Sequence, residues 1–421
     1  MVLTNANEDT QSELVIWQQN LNKSQTGQHD LISSGKLASA KIDIVAIQEP
    51  AMNFLDKTIA ARDWIPVYPS THAKEPKKTR AMILMNCKLS TENWEQIEFP
   101  SGDVTAVKIS GNWGQISLFN IYNDCMHDRT IQELMIFHRS NRNSLMGSAA
   151  GEPTHHIIWL GDFNRHHPAW DKPEDTHLFT REALEAAELL IKATADLRLE
   201  SALPAGTPMH IHNVTKRWTR LDQVFVTENI MDTLISCEAL CHDRGINTDH
   251  VPIVTKLDIT LSRTKEAGTK NFRNVDWEKF REHLQNKIAT YGIPTNIGDQ
   301  VSLNKECKRL TMALQETIEA MVPTSNVCPK SKRWWTKEIK ELRTKFRKLG
   351  RRIGRYEGQP EHAIHVEYKE SRKQYERAIK YNKRHHWRDW LEKASEPDLW
   401  TANKYIAAPA SDGGKTRIPV L

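Results

Sequence analysis

Apolar residues in the first 262 positions gather in runs of strand length, at 14–17, 42–47, 81–85, 116–122, 157–160, 221–226 and 251–254. Short apolar runs bounded by polar or turn-forming residues predict strands covered on both faces. Between some of them the spacing changes to that of an amphipathic helix, notably at 131–145 and 181–197. Thr180, followed by Glu182 and Glu185, reads as the start of the second helix, an N-cap hydroxyl before an acidic first turn. Strands interleaved with helices predict an α/β or α+β domain with one core.

After residue 262 the pattern changes. Residues 263–274 are polar and read as a linker. Helical stretches follow at 277–288, 302–321, 332–353 and 363–393, with sparse apolar positions. Such helices are expected to pack weakly on their own. The expected organisation is therefore a domain at 1–262, a linker with helices at 263–330, a basic helical segment at 331–396 and a short stub at 397–421.

Charge sharpens this division. The net charge of +5 for the 421 residues conceals two opposite halves. Residues 1–262 hold 24 Lys and Arg against 33 Asp and Glu, net −9; residues 263–421 hold 34 against 20, net +14. Within 330–388 there are 20 basic and 7 acidic residues, interleaved with Trp334, Trp335, Phe346, Tyr356, Tyr368, Tyr375, Tyr381 and Trp387. Basic residues neutralise phosphates and aromatics stack on unpaired bases, so this extension is expected to bind RNA or DNA. The alternative is a solvated charged helix joining two domains.

Other classes are disfavoured. No run approaches the roughly 20 apolar residues that span a bilayer, and the first residues lack a basic stretch followed by an apolar one. An intracellular protein without membrane association is expected. Six scattered cysteines do not make a disulfide scaffold and suit a reducing compartment. Cys237 and Cys241 precede His242, but no second Cys/His pair follows at zinc spacing, so they read as buried or incidental.

The candidate chemistry sits where the strands end. The run 42–47 leads into Gln48-Glu49-Pro50, and 157–160 into Gly161-Asp162-Phe163-Asn164. The run 221–226 carries Asp222, and Thr248-Asp249-His250 precedes 251–254. Loops on one edge of a sheet are where active sites assemble. Carboxylates with an amide are the oxygen ligands a hard cation such as Mg²⁺ prefers. An imidazole backed by a carboxylate can activate water or stabilise a phosphoryl oxygen. Singly, each motif also reads as a cap, a turn or a surface acid. As a set, they point to metal-assisted phosphodiester hydrolysis.

The set resembles the endonuclease/exonuclease/phosphatase superfamily. Its members share a two-sheet α/β sandwich of four layers, here followed by the α-helical basic extension. The resemblance implies a role for each matching residue. Asn20 in Trp17-Gln18-Gln19-Asn20-Leu21-Asn22 would help order metal or phosphate, Glu49 would bind the metal, and Tyr122 would contact phosphate. Asp162 and Asn164 would position the attacking water and the scissile phosphate. Asp222 would orient the imidazole of His250, and Asp249 completes the terminal pair, in or near the metal's coordination. Repair-type members carry Asp where this chain has Asn22, which argues against an abasic-site repair enzyme.

Longer stretches narrow the resemblance to the endonucleases of non-LTR (LINE-type) retrotransposons. They are Gln18 to Ser24, Asp162-Phe163-Asn164-Arg165-His166-His167-Pro168-Ala169-Trp170, and Gly206-Thr207-Pro208 leading to Trp218-Thr219-Arg220-Leu221-Asp222. Residues 271–277 and 333–336 look like the region between endonuclease and reverse transcriptase. Residues 417–421 look like the start of a reverse transcriptase that the chain does not contain.

The implied activity is a Mg²⁺- or Mn²⁺-dependent DNA endonuclease that nicks target DNA for retrotransposon integration, acting in the nucleus. Arg165, His166 and His167 are expected to contact DNA phosphate, with the alternative that His167 packs beneath Pro168 and Trp170. Trp218 and Arg220 are further candidates for the DNA face. The competing readings are a repair nuclease or small-molecule phosphatase of the same fold, and a truncated, non-enzymatic retroelement remnant that binds nucleic acid.

Overall fold

The structure is a computed structural model and describes residues 13–59, 63–141, 155–212, 214–261, 272, 275–292, 298–323 and 334–393. The expected stub at 397–421 and most of the linker at 263–274 lie outside the described residues.

Two six-stranded sheets make the centre. The first contains Leu14–Asn20 (β1), Ile44–Gln48 (β2), Trp64–Val67 (β3), Ala81–Asn86 (β4), Leu234–Ala239 (β13) and Ile253–Leu257 (β14). Their order is β13-β14-β1-β2-β4-β3. The second contains Trp94–Ile97 (β5), Val104–Gly111 (β6), Gly114–Tyr122 (β7), His155–Asp162 (β8), Leu199–Ser201 (β9) and Asp222–Thr227 (β12). Their order is β5-β6-β7-β8-β12-β9. A two-stranded hairpin, His210–Ile211 (β10) with Trp218–Thr219 (β11), stands apart.

Each large sheet has one parallel pair, β1–β2 and β7–β8, flanked by antiparallel neighbours. A parallel pair needs a crossover. Gln25–Ser33 (α1) and Lys36–Ser39 (α2) lie in the first, and Arg129–Ser140 (α3) lies in the second. Arg181–Asp196 (α4) begins as expected, with Thr180 Oγ1 accepting from the Ala183 amide at 3.2 Å. A short turn of helix, Glu228–Met231 (α5), follows β12.

Three apolar clusters match four layers. Leu31 and Leu37 pack with Val15, Trp17, Val45 and Ile47 on the outside of the first sheet. Ile131, Leu134, Ala187 and Leu190 pack with Phe119, Trp159 and Phe225 on the outside of the second. Between the sheets lie Leu14, Ile16, Ile44, Leu118, Ile158, Leu160 and Val224.

The C-terminal helices depart from the expected division. Lys337–Ile353 (α8) and Ala363–Glu392 (α9) belong to one compact unit with the sandwich, while residues 265–331 form a second unit. Ile339, Phe346, Leu349, Ile353, Ile364, Tyr368, Tyr375 and Ile379 join the same apolar cluster as the sandwich interior. These apolar positions recur at intervals of three, four or seven residues, enough for one buried stripe per helix. Charge pairs reinforce the contact. Arg347 reaches Asp243 at 2.9 Å, and Lys172 reaches Glu357 at 2.9 Å. The buried Asp30 of α1 receives Tyr375 Oη at 2.6 Å, Lys36 Nζ at 3.3 Å and Arg343 Nε at 3.6 Å.

The second unit contains Trp277–Tyr291 (α6) and Gln300–Met321 (α7). Asp276 caps α6 and Asp299 caps α7, the latter in a reciprocal box with Ser302. Val275, Phe280 and Val322 form its small core, and Glu316 joins the helices through Lys287 and Tyr291. Among the described residues, no helix is long and apolar enough to cross a membrane.

Candidate active site

Strand alternation brings the expected residues together. In β1, Leu14 and Ile16 enter the core between the sheets, whereas Val15 and Trp17 pack beneath α1. A period of two then carries Gln18 and Asn20 to the interior face. The same count takes Ile44 and Ala46 to Gln48, Ile116 and Leu118 to Asn120 and Tyr122, and Ile158 and Leu160 to Asp162. It also aligns Val226 and Val224 with Asp222. The space between the sheets is apolar along most of its length and polar at this end.

Register closes the arrangement. Tyr122 pairs with Asp162, Asp162 with Asp222, and Asn20 with Gln48. Hydrogen bonds then cross between the sheets: Gln18 Nε2 donates to the Gly161 carbonyl at 3.0 Å, and Asn120 Nδ2 to the carbonyls of Ile47 and Met82. Asn20 Nδ2 donates to Asp162 Oδ2 at 2.9 Å. Gly161 is required here. Its φ is 147°, and a Cβ would lie 1.8 Å from the Ile121 carbonyl oxygen.

The loop before β14 delivers the imidazole. Thr248 Oγ1 donates to the Asn20 carbonyl at 2.8 Å and accepts from the His250 amide at 3.2 Å. His250 Nδ1 lies 2.6 Å from Asp222 Oδ2, and its Nε2 lies 3.8 Å from both Asp162 Oδ2 and Asp249 Oδ1. Both ring nitrogens therefore face carboxylates. Burial alone would lower the pKa of His250, but Asp222, Asp162 and Asp249 outweigh it and raise it well above the usual range. Burial pushes Asp162 upward, with Asp222 adding and His250 and Asn20 opposing.

The remaining groups surround this pair. Burial opposes ionisation of Asp249, but a hydrogen bond from His210 and the charge of His250 hold it far below the usual carboxylate range. Burial, Glu49 and Asp162 raise the Tyr122 phenol, so its hydroxyl keeps its proton. The Arg80 guanidinium stacks 4.7 Å from that ring and is held by Asp103 and Asp124. Asn164 donates its amide N–H to Asp162 Oδ1 at 3.1 Å and its Nδ2 to the Asn123 carbonyl at 2.8 Å. Glu49 sits where β2 ends, with Lys23 Nζ 3.8 Å away.

Three of the expected nucleic-acid contacts, Arg165, Arg220 and Trp218, are buried. Arg165 is 4% exposed and donates to Asp128 and to the carbonyls of Asp124, His127, Asn164 and Ala186. Arg220 is 1% exposed and spans the carbonyls of Trp170, Leu203 and Pro204 and the Ser201 hydroxyl. Burial brings its pKa down to about 10. Trp218 is buried in the central core. These guanidiniums have their hydrogen-bonding capacity turned inward, so they brace loops instead of reaching phosphate.

His166 pairs with Asp171 at 3.1 Å. His167 accepts from the Ala169 amide and lies against Trp170, with ring centres 5.2 Å apart. Asp171 also accepts the His167 and Arg220 amides, which makes the Arg-His-His-Pro segment a knotted loop.

Two residues of the site escaped the sequence reading. His210 lies 3.5 Å from Asp249 and its ring centre is 4.9 Å from that of His250. It belongs to a two-residue strand, too short to leave a periodic signal. Asn123 follows Tyr122 and bonds the Phe163 carbonyl at 2.9 Å. Its place beside the Tyr122 motif was a usable signal.

The donor set fits a hard divalent cation. Asp162, Asp222 and Asp249 concentrate carboxylates around His250, Glu49 closes β2 beside Tyr122, and Asn20 adds an amide oxygen. Oxygen donors of this kind suit Mg²⁺ or Mn²⁺. Asp162, Asp222 and His250 form one close group of potential ligands, and His210, Asp249 and His250 another. Glu49, Asn20 and Asp249 are the residues that would hold a metal while leaving the Asp222–His250 pair intact.

Comparison with known proteins finds one family model and a set of solved structures. Residues 116–254 match a family model described as endonuclease-reverse transcriptase. A search of curated proteins returns no match. Among solved structures, the chain is similar to the endonuclease domain of TRAS1, a telomere-specific non-LTR retrotransposon. That likeness has 17% identity and a TM-score of 0.43, covering 60% of this chain and 100% of that one. It is also similar to the AP endonuclease LMAP from Leishmania major, with 13% identity, a TM-score of 0.47, and 61% and 92% coverage. The catalytic domain of APE2 from Xenopus laevis has 12% identity, a TM-score of 0.45, and 60% and 94% coverage. The family match runs from β7 to β14 and lies wholly within the sandwich.

Proposed function

We propose that the protein is a divalent-metal-dependent phosphodiester hydrolase acting on DNA, a nicking endonuclease of the kind used for retrotransposon integration. The observation that carries this reading is Asp162, held between Asn20 of the first sheet and the His250–Asp222 pair, whose imidazole comes from the loop before β14 and whose carboxylate comes from β12. Such a group joins a buried acid to an imidazole of fixed orientation, as water attack on phosphate requires.

The residues divide the work as follows. Asp162 orients the attacking water and takes its proton; its upward shift moves it toward the strength a general base needs. His250, kept cationic by Asp222, stabilises the charge that builds on the phosphoryl oxygens. Tyr122 donates its hydroxyl to a phosphate oxygen, and Asn164 donates the amide proton not spent on Asn123. Glu49, with Asn20 and Asp249, would hold Mg²⁺ or Mn²⁺, which neutralises phosphate charge and stabilises the leaving oxygen.

The match to an endonuclease-reverse transcriptase family supports the endonuclease reading; chromosomal target DNA, and therefore action in the nucleus, are part of this proposal. Asn22, whose amide bonds Asn20 Oδ1 at 2.8 Å, stands where repair-type relatives carry an acid. A panel of supercoiled plasmid, abasic duplex and phosphoinositide tests the substrate class. Nicking of undamaged plasmid in Mg²⁺, lost at least 10³-fold in His250→Ala, is the expected outcome. Undiminished nicking by that variant, or activity confined to the abasic duplex or the phosphoinositide, overturns the proposal.

A further inference from the structure

We propose that α8 and α9 form a DNA-docking wall of the catalytic unit, holding the duplex that flanks the scissile phosphate. The inference rests on the nuclease reading above and assigns its substrate a second contact surface.

The first argument is electrostatic. The sequence up to residue 262 carries net −9, which repels a polyanion. Arg165 and Arg220, the guanidiniums nearest the Asp162 motif in sequence, are buried and spent on carbonyls. Neither adds attraction for DNA at the site. In α9, Lys369, Lys373, Arg377, Lys380, Arg384 and Arg388 recur at three- or four-residue intervals. That spacing makes a stripe along one side of the helix. The buried stripe of Ile364, Tyr368, Tyr375 and Ile379 is offset from it, so core packing leaves the basic side in water.

The second argument is position. The wall is fastened to the loop that carries the catalytic residues. Arg347 pairs with Asp243, and Arg244 stacks on Tyr368 at 4.9 Å while donating to its hydroxyl at 3.2 Å. Glu376 accepts a side-chain hydrogen bond from Asn247. Asn247 is two residues before Asp249, a span of at most roughly 7 Å of chain. That contact sets α9 beside the loop carrying Asp249 and His250, with its basic side turned to water, where a duplex engaged at the site can reach it. Arg244, Lys369 and Arg372 also gather around Lys216 of the β10–β11 hairpin, where burial and their like charge lower its pKa.

The third argument selects DNA over RNA. The wall shares its apolar core with the catalytic sandwich, so its position relative to the site is fixed. A fixed surface beside the site serves the strand being cut, whereas a separate RNA ligand needs no such registration.

The test uses the full chain carrying His250→Ala, so that binding is read without cleavage. Affinity for a 30-base-pair duplex is measured by anisotropy between 50 and 200 mM salt. It is compared with the same chain bearing Lys369→Gln, Arg377→Gln and Arg384→Gln. Loss of three phosphate contacts lowers the salt slope by about 2.7 and weakens binding at least tenfold at 50 mM salt. Arg181→Gln, on the outer helix layer, leaves the slope unchanged. An unchanged slope in the triple variant overturns the proposal, and so does a fall seen with single-stranded RNA but not with the duplex. Because no cleavage is measured, failure here is distinct from failure of the hydrolase reading, which plasmid nicking decides.

Discussion

Glu49 and Asn164 both enter the left-handed region of backbone space, at φ 46° and 50°. Asn tolerates that conformation, but a glutamate followed by Pro50 does not adopt it readily. Strain of this kind costs about 1–3 kcal/mol and persists where surrounding contacts enforce it. Here the Glu49 amide is held by the Arg80 carbonyl at 2.7 Å and its own carbonyl by the Lys23 amide at 2.9 Å. Glu49→Asn should therefore raise stability by about 1 kcal/mol while activity is lost, as thermal melting and nicking assays would show. A lower melting temperature would contradict the strain account. Arg165 gives the opposite case. Arg165→Gln gives up the guanidinium's bonds to the half-buried Asp128 and to four carbonyls and is expected to cost about 2–3 kcal/mol in denaturant melts. A change in DNA affinity with unaltered stability would return Arg165 to the binding surface. The sequence shows an arginine after a catalytic motif, but not that five main-chain and side-chain acceptors converge on it.

At the scale of elements, strands covered on both faces were legible because their apolar runs are unbroken. β1, β2, β4, β7, β8, β12 and β14 all fall on or beside the expected runs. Edge strands were not. β5 and β13 have no fully buried residue, and β13 carries a bulge between Leu234 and Ser236. Their mixed composition hides them from a search for apolar runs. The docking of α8 and α9 was hidden for a related reason. Their few apolar residues suffice only because the sandwich supplies the rest of the core.

The Asp30 cluster is the element-scale test of that docking. Burial opposes ionisation of Asp30, but Lys36, Arg343 and Tyr375 outweigh it and hold its pKa below the usual value. A carboxylate depressed in the folded state stabilises it fully above the unfolded value of about 3.9, and that contribution fades as pH falls further. Asp30→Asn should destabilise the protein by about 2–4 kcal/mol at pH 7 and flatten the pH dependence of stability below pH 4. Chemical denaturation at pH 7 and pH 3 measures both. Equal losses at the two pH values would contradict the charge-cluster account.

For the whole molecule, the opposite charges of the two halves describe surfaces more than separate bodies. The basic helices complete the sandwich's core, and only residues 265–331 form a second unit. Asn20, Glu49, Tyr122, Asp162, Asn164, Asp222, Asp249 and His250 were legible because they end interior-facing strand rows or open the loops that follow. Their partners were not, since His210 and Asn120 act through register and sheet-to-sheet contact. The central claim joins this geometry to metal-assisted cleavage of DNA. It is tested most directly by nicking of supercoiled plasmid in Mg²⁺, with and without EDTA, beside the Glu49→Ala protein. The account predicts open-circular product that EDTA abolishes and that Glu49→Ala reduces at least 10²-fold. Nicking that survives EDTA, or that Glu49→Ala leaves intact, would contradict it.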